Sequence, residues 1–124
     1  IERVERLAAA LDAAAADPPE VDRDDAAAWA EAHVGVETGA ATVVFHSIAH
    51  QYFPEATKAR LAAHMARVGA AATTDAPLAW LRFELDDPVA LGPPPTLRLT
   101  LWPSGEERLL AHVHPHGSEV RWVG

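Results

Sequence analysis

His46 and Ser47 stand directly after the apolar run Val43 to Phe45, and His50, Gln51 and Tyr52 follow close behind. An imidazole whose ordinary pKa lies near neutrality can take a proton and return it, which is general acid-base chemistry. Gln and Tyr side chains suit the binding of a polar substrate. A short apolar run that ends abruptly in polar residues is how a covered parallel strand delivers side chains to a site. In open α/β sheets, ligands collect beyond the carboxyl ends of such strands. The pattern therefore nominates His46 and Ser47 as catalytic residues and Gln51 and Tyr52 as substrate-binding ones. The competing role for His46 is a ring that donates to a neighbouring carbonyl and simply ends the strand. FHSIA lacks the G-x-S-x-G elbow, which argues against a serine hydrolase.

A second group of histidines, His112, His114 and His116, has the alternate spacing that shares one face of an extended strand. Pro115 and Gly117 predict that the chain turns there, and no further ligand at a recognised spacing completes a zinc set. No metal site is assigned. Trp29, Trp80, Trp102 and Trp122 are expected in the core or at contacts.

The elements that must position these residues follow from periodicity. Val4, Leu7 and Leu11 recur at helical spacing within Ile1 to Ala16, and Asp17-Pro18-Pro19 stops that helix. Glu20 to Asp22 reads as a very short strand. Asp24 or Asp25 then caps a helix from Ala26 to about His33. Gly35 to Gly39 leads into a strand from Ala41 to Phe45 or His46, and Pro54 opens a helix that carries Leu61, Met65 and Val68 and ends near Gly69. LAWLRFEL from Leu78 reads as a second covered strand, and proline-rich Asp86 to Pro95 as a connector. TLRLTLW alternates strictly, with Leu97, Leu99 and Leu101 on the face expected to be buried. Pro103 to Glu106 turns it into RLLAHVH as an antiparallel hairpin. Glu119 to Val123 ends the chain as a short strand.

Composition narrows the class. At 124 residues and 49% hydrophobic, the chain has material for one domain. No run approaches the ~18 apolar residues of a membrane span, so no membrane partner is expected. A net charge of −8 argues against nucleic acid, which needs a clustered basic surface. The acidity is concentrated: Asp12 to Glu37 holds eight acids against the single base Arg23. Without cysteine there is neither a disulfide framework nor a thiolate site, in keeping with a cytoplasmic location. An Ile start without a capping residue suggests a polypeptide that continues upstream.

The segments FHSIAHQYFP, LAWLRFE, LRLTLWPSGEERLLA and HPHGSEVRW resemble the carboxyl-terminal portion of the uncharacterised bacterial family called domain of unknown function 2332. The opening ERVERLAAALDAAAADPPEV and the RDDA after it are similar to the same family. The order of elements also resembles the second half of a class I S-adenosylmethionine-dependent methyltransferase. That resemblance implies an α/β fold: the carboxyl-terminal half of a Rossmann-like sheet, with two parallel strands, a crossover helix and a terminal antiparallel hairpin. It further implies that residues 1–124 are one domain or a fragment lacking its N-terminal half, not catalytic alone. S-adenosylmethionine would bind only the full-length protein, because no glycine-rich cofactor turn occurs here. By the same resemblance Asp25 falls near the adenine-contacting acid of the cofactor site, against its plainer role as a helix cap. The implied partner is the missing N-terminal half or a second copy pairing along a bare strand edge. The alternative function is a noncatalytic binding or scaffold domain that retains the fold.

Overall fold

The computed structural model describes residues 2–86 and 94–123. Helix α1 spans Glu2–Ala16, α2 Ala26–His33 and α3 Glu55–Gly69. The strands are β1 Thr42–Ser47, β2 Leu78–Glu84, β3 Thr96–Trp102, β4 Glu106–Val113 and β5 Val120–Trp122, and a 3-10 turn covers His50–Tyr52. The five strands form one sheet in the order β1-β2-β3-β4-β5.

Among the described residues only β1 and β2 run parallel, with α3 between them in sequence; every other neighbouring pair is antiparallel. This corrects the expected Rossmann-like methyltransferase half. Such a half needs further parallel strands joined by crossover helices. Here β2 is followed by a meander in which β3, β4 and β5 each pair antiparallel with the strand before. Glu20 to Asp22 also differ from expectation. They form no strand, and Asp22 instead accepts a hydrogen bond from Trp29 Nε1 at 2.7 Å. The connector expected over Asp86 to Pro95 falls largely outside the described residues.

Residues paired across a sheet share a face. On one face the register aligns Thr42 with Leu78 and Trp102, then Val44 with Trp80 and Thr100. Helices α2 and α3 pack over these rows. Ala27, Ala30, Leu61, Met65, Val68, Leu78 and Trp80 form the buried cluster, with Val44, Phe53 and Trp102 against it. Asp25 caps α2 by accepting from the backbone N–H groups of Ala27 and Ala28 at 3.1 and 3.0 Å, which satisfies donors the helix leaves open. At Gly69 helix α3 lies tight against the sheet, and an added Cβ there would lie 2.5 Å from the Trp102 ring.

The opposite face aligns Val43, Ala79 and Leu101, then Phe45, Leu81 and Leu99, then Ser47, Phe83 and Leu97. None of the helices in the buried cluster packs there. Val43 remains 60% exposed, Phe45 57% and Leu101 42%. The leucine face of the hairpin is therefore not the helix-covered core, contrary to expectation. Leu78 and Trp80 commit their side of β2 to the helices, and the register then sends Leu97, Leu99 and Leu101 to the other side.

Candidate functional site

Continuing along the helix-covered face toward the carboxyl ends of β1 and β2, the rows turn polar. His46 aligns with Arg82 and Arg98, and beyond them Glu84 aligns with Thr96 and His112. The period of two makes this unavoidable, since Trp80, Arg82 and Glu84 point the same way along β2. His46 Nδ1 and Glu84 Oε1 lie 2.6 Å apart, with the two side chains only 12% and 13% exposed. The same Oε1 accepts from the backbone N–H groups of Ala49 and His50 at 3.1 and 3.2 Å. An ionised carboxylate only accepts, so the shared proton belongs to Nδ1.

The turn after β1 supplies those backbone donors at a conformational cost. Ile48 has φ of 48°, a left-handed conformation that a β-branched residue rarely adopts. Its N–H still bonds Phe83 O at 2.8 Å, so the parallel ladder holds while the chain swings the next two amides onto Glu84. Strain of this kind persists only where surroundings over-determine it, and it clusters at functional sites. His50, on the same turn, stacks on His46 with ring centroids 5.5 Å apart. Burial, and then the neighbouring His46, push the His50 pKa below its ordinary value.

Several buried polar atoms here have no partner among the described residues: His46 Nε2, Glu84 Oε2, Arg82 Nε and Trp80 Nε1. Buried groups left unpaired cost ~1–3 kcal/mol each, so a cluster of them calls for an explanation. Arg82 is otherwise occupied, stacked over Trp80 with its guanidinium 4.6 Å from the ring centroid and paired with Glu107. Arg98 forms ion pairs with Asp86 at 3.1 Å and Glu107 at 3.2 Å. Its hydrogen bonds hold the Asp86 carboxyl below the ordinary range. A polar cavity of about 180 Å³ is lined by His46, His50, Arg82, Glu84, Asp86 and Arg98. His46 also lines a larger cavity of about 380 Å³, walled by Val44, Phe53 and Trp29 and bordered by Glu20, Asp22 and Asp24.

The other nominated residues are dispersed. Ser47 is exposed on the opposite face of β1, so it does not meet His46. Gln51 is half-buried on the 3-10 turn, and Tyr52 beside it is 77% exposed. Asp25 is engaged at the start of α2, where its second oxygen accepts from Thr57 at 2.9 Å and Arg60 approaches to 3.5 Å. His112 lies in β4, whereas His114 and His116 sit on the following turn. Among the described residues no group of three or more His, Asp or Glu is placed to hold a metal ion. Sequence reasoning passed over Glu84, Arg82 and Arg98. The alternation in LAWLRFE was the available signal, because it sets Arg82 and Glu84 on the face that Trp80 shares.

A family model described as an uncharacterized protein conserved in bacteria (DUF2332) matches residues 1–122. No curated protein and no solved structure matches. A match of that extent corrects the reading of the chain as only the carboxyl-terminal portion of the family. With the mostly antiparallel sheet, it removes the ground for a methyltransferase or a scaffold retaining that fold, and for S-adenosylmethionine as cofactor. It equally removes the ground for a missing N-terminal half, or a second copy in its place, as the required partner.

Proposed function

We propose, for a chain that belongs to the bacterial DUF2332 family, that the carboxyl rim of β1 and β2 is a small-molecule site in which His46 transfers a proton. The observation that carries this reading is the 2.6 Å contact between His46 Nδ1 and Glu84 Oε1. A base held by a third group, itself fixed by two backbone amides, is the arrangement acid-base catalysis uses. Glu84 keeps the proton on Nδ1, leaves the Nε2 lone pair as the base, and stabilises the imidazolium once Nε2 is protonated. Nε2 is enclosed and unpartnered, and the His50 ring stacks on the imidazole. Substrate would reach it by displacing that ring, with Gln51 and Tyr52 on the same turn as contacts.

Glu84 Oε2 and Arg82 Nε would supply further hydrogen bonds to a polar substrate. Ser47 faces away and is assigned no step, and Asp25 serves α2. No described helix is long and apolar enough to cross a membrane, and a cytoplasmic location remains part of this reading. The test is a library of small metabolites incubated with the chain and followed by mass spectrometry. Turnover should appear and fall by about 10²–10⁴-fold in His46→Gln, with the melting temperature preserved. No turnover across the library, or turnover unchanged by that substitution, would reject the proposal.

A further inference from the structure

We propose that the larger cavity takes a small amphipathic cation, an amine carried on an apolar or aromatic body; this rests on the reading of the His46 rim as a site. The cavity, about 380 Å³, falls within the ordinary size range of ligand pockets. Its inner wall is apolar, formed by Val44, Phe53 and Leu61. Its mouth carries the exposed acids Glu20, Asp22 and Asp24, and among the described residues no Lys or Arg lines it.

Two features separate this from an acidic surface. The indole of Trp29 is locked at the mouth, because Nε1 donates to Asp22 Oδ2 at 2.7 Å and the ring stacks on His33 at 4.9 Å. A fixed indole beside carboxylates attracts a cation through its ring face as well as through charge. His46, the base of the rim, lines the same cavity. An anion would enter against like charges focused by an apolar wall, and a fully apolar ligand would gain nothing from the mouth. A bare metal ion would leave the apolar wall unused. An amine on an apolar body meets each surface with its complement.

The experiment titrates the 124-residue chain with 2-phenylethylamine, and in parallel with 3-phenylpropionate, following the Trp29 indole N–H resonance by NMR. The amine should saturate and shift that resonance, bind about tenfold more tightly than the acid, and weaken with added salt. Glu20→Gln, at an exposed side chain outside the helices and strands, should weaken the amine alone; Asp22→Asn combined with Asp24→Asn should weaken it further. Equal binding of amine and acid, or failure of the amine to saturate, would overturn the ligand class. Repeating the titration in His46→Gln separates the two proposals. Amine binding by the parent chain and by His46→Gln, with no turnover by the parent across the metabolite library, keeps the ligand class and rejects the proton-transfer reading. Turnover of other compounds without amine binding does the reverse.

Discussion

The two faces of the sheet use similar apolar material and reach opposite outcomes. On the helix-covered face, Leu78 is fully buried and Trp80 nearly so beneath α2 and α3. On the other, Val43 and Phe45 stay more than half exposed although they alternate with Val44 in the same strand. Hydrophobicity alone did not choose the core face; the helices did, through Leu61, Met65 and Val68 on α3 and the small residues Ala27 and Ala30 on α2. The same choice carried the charged rows onto the helix-covered side, where the carboxyl ends of β1 and β2 outrun that cover.

The sharpest way to break this comparison is to substitute one residue on the helix-covered face and two on the other. Leu78→Ala should cost about 2–5 kcal/mol, the usual range for a buried leucine whose site cannot fully collapse. Val43→Ala should cost under about 1 kcal/mol, and Leu99→Asp, beside Arg108 in the register, should stay within about the same limit. Urea denaturation of the three variants measures both sides. Equal losses would mean that the leucine face is covered in solution.

A smaller effect tests how closely α3 approaches the sheet. Gly69→Ala should destabilise by about 1–3 kcal/mol, because the new methyl meets the Trp102 ring and overpacking strains its surroundings. Gly35→Ala is the control, since nothing lies within 4 Å of its Cβ position. A Gly69→Ala chain as stable as the parent would show that Trp102 can withdraw.

How far the sequence reveals this arrangement depends on what each signal encodes. Apolar runs and prolines placed α1, α2, α3 and the strands close to their observed limits, since those signals are local. The alternation in TLRLTLW identified two faces but could not say which one meets the helices. That is decided by register against β2, a long-range pairing. The Rossmann-like reading failed for a related reason: one parallel pair with a helix between looks the same whether further parallel strands or a meander follow. His46 was legible as a strand-end residue. Its partner Glu84 was not, because 38 positions separate them and only the parallel register brings them together.

The rim of the helix-covered face should also be sensitive to pH in a way the leucine face is not. Burial holds the His50 pKa below its ordinary value of 6.5, so the unfolded chain binds the proton more readily than the folded one. Stability should therefore fall as pH drops through about 6.5 and level off once His50 protonates in the folded state as well. Asp86, held low by Arg98, adds a separate loss nearer its ordinary 3.8, as acid removes the charge that Arg98 binds. Urea midpoints between about pH 8 and 5 should show the first decline in the parent and not in His50→Gln. An unchanged profile in that variant would assign the decline to another group.

The smallest effect should come from α1. Its stripe of Val4, Leu7 and Leu11 is 70%, 59% and 61% exposed, and the helix buries none of its residues. Isolated helices of this length are marginal in water, and their stability in proteins comes from packing an apolar face. Here that packing is missing, so α1 contributes little to holding the sheet and its two helices together. Deleting residues 2–16 should change the unfolding free energy by less than about 0.5 kcal/mol while lowering the helical circular dichroism. A loss of several kcal/mol would mean instead that the stripe is in contact in solution. The uncovered face bearing Val43, Phe45 and Leu101 is an apolar surface that such a helix would fit, and Val43→Asp should then reproduce the loss in the intact chain.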